Sequence, residues 1–322
     1  MRRRKFISGL GGAVLAWPLA ARSRQPEGRW LIGFIAHRDV RSYDALFEGL
    51  RDLGYVEGQN VIIERRYAEG RAERFPEFAR EMVQLKADVI VVGTTPAALA
   101  VMSETATIPI VLPAAIDPVG RLVDSLAHPG KNLTGGAILY AELSAKRLQL
   151  LKDMVPGLSR AAVLWNTANP ANASAWREAE SAARALGVAL QSHELRGSQD
   201  LEVAFAAIAE EHPDALLLLE DQLTFQYRKE IVDFALHQLL PSSFVGREAV
   251  EAGGLISYGA RLSDMYRGAA TFVDKILKGA NPADLPMEQP TRFELCINMT
   301  TAKALGLTVP PSMLDLADKV IE

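Results

Sequence analysis

The chain has 322 residues, 49% of them hydrophobic, with 35 basic and 39 acidic residues and a formal net charge of −4. That length and apolar content suffice for about two domains with buried cores. The acidic balance argues against a nucleic-acid-binding surface, which needs clustered Lys and Arg to displace counterions from phosphate.

The first element is MRRRKFISGLGGAVLAWPLAARS, residues 1–23. Arg2, Arg3, Arg4 and Lys5 precede an uncharged stretch from Phe6 to Ala21, and Arg22 follows it, which is the layout of a secretory signal. Ser8, Gly9, Gly11 and Gly12 dilute the apolar stretch, and a transmembrane anchor would need about 20 apolar residues. The pair Arg3-Arg4 before Lys5, Phe6 and Ile7 resembles the twin-arginine export motif, with an ordinary secretory signal as the alternative. Small residues at Ala21 and Ser23 suggest that Ser23 is the last residue removed. The mature chain then keeps 30 basic against 39 acidic residues, a net charge of −9. The single cysteine, Cys296, excludes an intramolecular disulfide, and no cysteine stands at the cut to carry a lipid. A periplasmic, untethered product is expected.

Short apolar runs then alternate with amphipathic stretches. RWLIGFIA (29–36), DVIVVG (88–93) and IPIVLPAA (108–115) read as buried strands, and AERFPEFAREMVQLKA (72–87) as a helix with Phe75, Phe78, Met82 and Leu85 on one side. Continuous apolar runs separated by helices indicate parallel strands covered on both faces. The pattern restarts at RAAVLWN (160–166), passes through an alanine-rich surface helix at 171–187, and continues to DALLLLED (214–221). Two similar α/β lobes follow, with the change-over near 137–145. Pro282, Pro286 and Pro290 exclude regular helix or central strand from 277–293, which reads as a late crossing between lobes.

Reactive constellations are absent. His37, His128, His193, His212 and His237 include no pair at i, i+4, and no HExxH, GxSxG or GxxxxGK[ST] occurs. The first strand leads into HRDVRSYDAL, which lacks the glycines of a dinucleotide fingerprint. Cys296, in FELCINM, reads as core packing. No catalytic residue, metal or cofactor is assigned, and an exported α/β enzyme is the weaker alternative.

In open parallel sheets, ligands bind beyond the carboxyl ends of the strands, where helix N-termini offer free N–H groups. Those positions here are Arg38 to Tyr43, Gly93-Thr94-Thr95, Ala115 with Asp117, Asn166, Glu220-Asp221 and Arg247, with Tyr258 in the strand before a long helix. Each has a plainer role open to it. Thr94 or Thr95 caps the helix at Pro96, Asp117 caps a helix at Pro118, or Asn166 makes a turn with Asn169-Pro170. Acidic, hydroxyl and aromatic groups around one cleft suit a small zwitterion. A carboxylate would meet Thr94 and Thr95, an ammonium group would meet Asp117 or Glu220, and Tyr258 with Tyr43 would supply a flat wall.

Several stretches carry a resemblance: FEGLRDLGYVEGQNV, ADVIVVGTTPAALA, IPIVLPAAIDPVG, Gly130-Lys131-Asn132-Leu133-Thr134-Gly135, VEAGGLISYG and the run to the C-terminus. Across nearly all of the mature chain, the sequence resembles substrate-binding components of ABC transporters, in the family typified by tryptophan/tyrosine-type uptake binding proteins. The resemblance implies a type I periplasmic-binding fold of two Rossmann-like lobes with parallel sheets flanked by helices, joined by three crossovers. It implies one lobe over 29–140 with helix 261–280, and a second over 141–260 with segment 288–322. It also carries over Thr94, Thr95, Asp117, Asn166, Glu220, Tyr258 and Tyr43 as ligand contacts. The implied partners are a small-molecule ligand and an ABC permease with its cytoplasmic ATPase, served by a monomer.

Overall fold

The computed structural model describes residues 29–322; the export segment expected at 1–23 lies outside them. The first half alternates as far as β4, with no helix between β4 and β5: β1 (Trp30–Ala36), α1 (Asp44–Asp52), β2 (Val61–Tyr67), α2 (Phe75–Gln84), β3 (Val89–Val92), α3 (Thr95–Glu104), β4 (Ile110–Ile116) and β5 (Leu133–Ile138). The alternation resumes with α4 (Tyr140–Met154), β6 (Arg160–Asn166), α5 (Pro170–Leu186), β7 (Ala189–Leu195), α6 (Leu201–Glu211) and β8 (Ala215–Leu219). Then follow α7 (Gln222–Gln226), α8 (Arg228–His237), β9 (Ser242–Phe244), α9 (Arg247–Glu251), β10 (Ile256–Ala260) and α10 (Leu262–Leu277). The chain closes with β11 (Phe293–Asn298), α11 (Met299–Ala304), α12 (Pro311–Leu316) and β12 (Lys319–Ile321).

These strands form two sheets, ordered β2-β1-β3-β4-β5 and β12-β11-β10-β9-β8-β6-β7. The first sheet is wholly parallel, while β11 runs antiparallel to β10 in the second. β3 and β8 are buried along their whole length, which is why VIVV and ALLLL carry no alternation. Residues of α1 and α10 pack on one face of the first sheet, and those of α2 and α3 on the other. The second sheet is sandwiched by α4 and α5 on one side and by α6 and α8 on the other. The α5 alanines are not surface residues throughout: Ala175, Ala179 and Ala183 are buried, and their small side chains let α4 approach closely. Cys296 is buried in β11.

The chain passes between the sheets at Leu139, at Arg261 and again at 289–292. The proline-rich approach to the third passage is less irregular than its composition suggests. Pro282–Asp284 forms a short 3-10 turn, and Glu288 pairs beside β5, donating to the Gly135 carbonyl at 2.9 Å and accepting from the Ala137 N–H at 2.8 Å. The Arg261 N–H donates to the Arg292 carbonyl at 3.3 Å, tying two passages together. β4 shifts register between Leu112 and Ala115, around Pro113, which has no N–H to give to the ladder. Against that irregularity β5 lies very close. A Cβ on Gly135 or Gly136 would overlap the carbonyl oxygen of Leu112 or Pro113.

Candidate ligand-binding site

The carboxyl end of β3 runs directly into α3. Thr94 has extended backbone and its Oγ1 accepts the Ala97 N–H at 3.3 Å, so Thr94 is the N-cap of that helix, with a proline in its first turn. Thr95 opens the helix beside it.

Asp117 ends β4 at φ 42°, in the left-handed region that Asp tolerates better than most residues. No helix follows Pro118 for it to cap. Its Oδ1 instead accepts the backbone N–H of Tyr140 at 3.3 Å, the first residue of α4, while its own N–H donates to the Ile138 carbonyl at 3.1 Å. Oδ2 is buried and has no donor among the described residues. Burial holds the Asp117 carboxyl above its ordinary pKa, against the pull of the Tyr140 N–H. Backbone strain beside an unsatisfied carboxylate oxygen is a combination that folds retain at ligand sites.

In the second sheet, Asn166 at the end of β6 accepts the Ala168 N–H at 2.9 Å and donates from Nδ2 to Asp221 Oδ2 at 2.7 Å. The turn expected at Asn169-Pro170 is therefore present, and a side-chain bridge comes with it. Asp221 also caps α7 through the N–H groups of Leu223 and Thr224. Beside it, Glu220 is partly buried at the end of β8, and its pKa is pushed up to about 7. Burial is the main cause and the Glu248 charge adds to it, while Arg147, the Val245 N–H and Arg228 oppose it.

The two tyrosines differ in how far they are buried. Tyr43 is only 6% exposed, with its ring 5.1 Å from Phe34 and 4.8 Å from Tyr266 and its hydroxyl beside Gly93 at the end of β3. Tyr258 stands in the body of β10, not beyond its end, and stacks on Phe293 of β11 at 5.8 Å. Arg247 is engaged by Glu251 at 3.0 Å. The structure thus gathers Asp117 with Tyr140, and Asn166 with Asp221 beside Glu220; Tyr43 packs against Phe34 and Tyr266, and Tyr258 against Phe293.

One residue escaped the strand-end pattern. Arg147 is fully buried on α4, with its guanidinium 4.7 Å from the Tyr140 ring centroid and its Nε donating to the Leu143 carbonyl at 3.2 Å. Its sequence signal was a charge on a buried stripe: Tyr140, Ser144, Arg147, Leu148 and Leu151 share one helical face.

A pH dependence follows from Glu220. An acid whose folded pKa exceeds its unfolded value binds more protons when native, so its contribution is full at low pH and is lost as the pH rises. Ligand-free stability is expected to decline between about pH 4.5 and 7 on this account, and Glu220→Gln should flatten that slope in thermal melts. A slope unchanged by the substitution would assign it to other groups.

The model of the family described as "ABC transporter substrate binding protein" matches residues 32–321. The chain belongs to that family. Among its relatives is a tyrosine-binding protein of Clostridioides difficile (strain R20291), 26% identical over 261 residues, covering 81% of this chain and 75% of that one. An ABC domain from Streptococcus pneumoniae, solved in complex with L-Trp, superposes with a TM-score of 0.83 at 25% identity over 91% of this chain and all of that one. A conserved domain protein of Vibrio cholerae O1 biovar El Tor gives a TM-score of 0.83 at 30% identity, over 90% and 99% of the two chains. The architecture is that of type I periplasmic binding proteins. For an ABC transporter substrate binding protein the strand-end residues are to be judged by how they hold cargo and let it go. Asp117 and Glu220 each put a partly buried acid at a strand end, one in each sheet.

Proposed function

We propose that this chain is the periplasmic solute-binding component of an ABC importer, which captures an amino acid or related small carboxylate and delivers it unaltered to a permease with a cytoplasmic ATPase. Asp117 is the observation that carries this reading: a carboxylate on strained backbone, with one oxygen on the first turn of α4 and the other unsatisfied, suits an ammonium group. Glu220, Asn166 and the Thr94-Thr95 end of α3 complete the polar lining. The tyrosine-binding and L-Trp-bound relatives support an amino-acid cargo. In this reading residues 29–140 with 261–280 move as one lobe against 141–260 with 288–322, and a monomer closes on one ligand. Closure brings the outer rims of both lobes into register, so ligand strengthens docking to the permease.

Native mass spectrometry of the freshly purified protein tests the cargo. Retention of a small zwitterion is expected, and retention of a sugar or nucleoside would contradict it. Export is part of the same proposal. Replacing Arg3 and Arg4 by lysine should leave precursor in the cytoplasm, whereas normal periplasmic maturation would point to the general secretory route.

A further inference from the structure

Within the candidate site, the groups left without partners include both a cation and an anion, and Tyr140 joins them. Arg147 is 0% exposed, and neither Nη1 nor Nη2 has an acceptor among the described residues. Arginine does not shed its proton inside a protein, so the charge persists where burial disfavours it most. The face of Tyr140 offsets part of that cost but accepts no hydrogen bond in the plane of the guanidinium fork. The Tyr140 hydroxyl is also buried without a partner. At the other end of the same residue, the Tyr140 backbone N–H is held by Asp117, whose Oδ2 is the unsatisfied acceptor. Two planar donors and a hydroxyl on one side, with a lone carboxylate oxygen on the other, are the complement of a zwitterion.

We propose that Arg147 and the Tyr140 hydroxyl receive the carboxylate of the ligand while Asp117 takes its ammonium group. This rests on the amino-acid reading above and replaces the Thr94-Thr95 pair as the partner of the carboxylate. The guanidinium fork matches a carboxylate in two parallel hydrogen bonds, which no hydroxyl pair reproduces. Long side chains on a helix lean toward its N-terminus, so Arg147 reaches back along α4 to the end nearest the Leu139 crossing. In the described conformation the Tyr140 ring covers the guanidinium. The carboxylate reaches Arg147 as that ring turns aside, and the hydroxyl then serves as the third donor. The Arg147 charge also reaches Glu220, where it opposes the burial-driven rise of that carboxyl's pKa.

Titration calorimetry on the mature protein tests this with three probes: whichever of the twenty L-amino acids binds wild type most tightly, its amine analogue lacking the carboxylate, and its acid analogue lacking the ammonium group. Arg147→Gln should weaken the amino acid and the acid analogue by about a hundredfold and leave the amine analogue unchanged. Should the Gln variant not fold, Arg147→Lys keeps the charge without the fork, and about tenfold weakening of the same two probes is expected. Equal weakening of all three probes, or of none, would overturn the proposal. If wild type binds no amino acid, the cargo reading itself fails before any variant is made.

Discussion

Replacing Asp117 by asparagine should cost the protein its ligand and leave the ligand-free fold intact. Asparagine tolerates the left-handed backbone at φ 42° and keeps an acceptor for the Tyr140 N–H, so the structural half of the residue survives. The other half inverts. Where Oδ2 now offers an unsatisfied acceptor, an amide presents donors to an incoming ammonium group, and the opposite charge is gone. Truncating one partner of a buried charge pair typically costs about 2–5 kcal/mol, which is roughly 30-fold to several-thousandfold in affinity. Because burial already holds the Asp117 carboxyl above its ordinary pKa, a neutral amide should not lower ligand-free stability near neutral pH and is expected to raise it. Calorimetric titration beside a thermal melt reads both quantities. Unchanged affinity would remove Asp117 from the site, and loss of the ligand-free fold would make it structural.

Gly135→Ala should produce the largest loss of stability. The residue sits at φ 136°, and an added Cβ would overlap the Leu112 carbonyl oxygen, a backbone atom that cannot turn away. Relief requires β5 to move off β4 at its irregular register, which also disturbs the pairing of Glu288 with Gly135 and Ala137. Strain of this kind costs about 3 kcal/mol or more, a drop of roughly 6–12 °C in Tm for a domain of this size class. Gly157→Ala is the matched control: its φ is 81°, but nothing lies within 4 Å of the added carbon. There only the backbone term applies, about 1–2 kcal/mol. Equal shifts for the two variants would show that the β4–β5 approach is looser than described.

The contrast between these two sites also marks what a sequence discloses. VIVV and ALLLL announce buried parallel strands because a strand covered on both faces has no polar side to present. FELCIN announces a strand but not its direction: β11 is antiparallel to β10 because the chain returns through 289–292 at the end where β10 leaves, so that Phe293 pairs with Ala260. Strand ends are legible, and Thr94, Asp117, Asn166 and Glu220 all stand at them. Side-chain direction is not. Position along the chain puts Tyr43 and Tyr258 near strand ends, while the orientation of their rings depends on packing against Phe34, Tyr266 and Phe293. The bond from Asp117 to Tyr140 spans 23 residues and depends on β4 lying beside β5, which no local pattern contains. Arg147 carries a signal of its own away from the strand ends, since a charge on an otherwise buried helical stripe must be answered by something.

Thermal melting of the mature wild-type protein across amino acids, short carboxylates, sugars and nucleosides tests most directly whether this fold closes on a small zwitterion. A ligand that binds only the native state adds about 2.7 kcal/mol at a hundredfold excess over Kd. That is a rise of several degrees in Tm for a protein this large. The expected result is such a rise with at least one L-amino acid and none with sugars or nucleosides. A rise confined to sugars or nucleosides, with every amino acid and carboxylate silent, would contradict it.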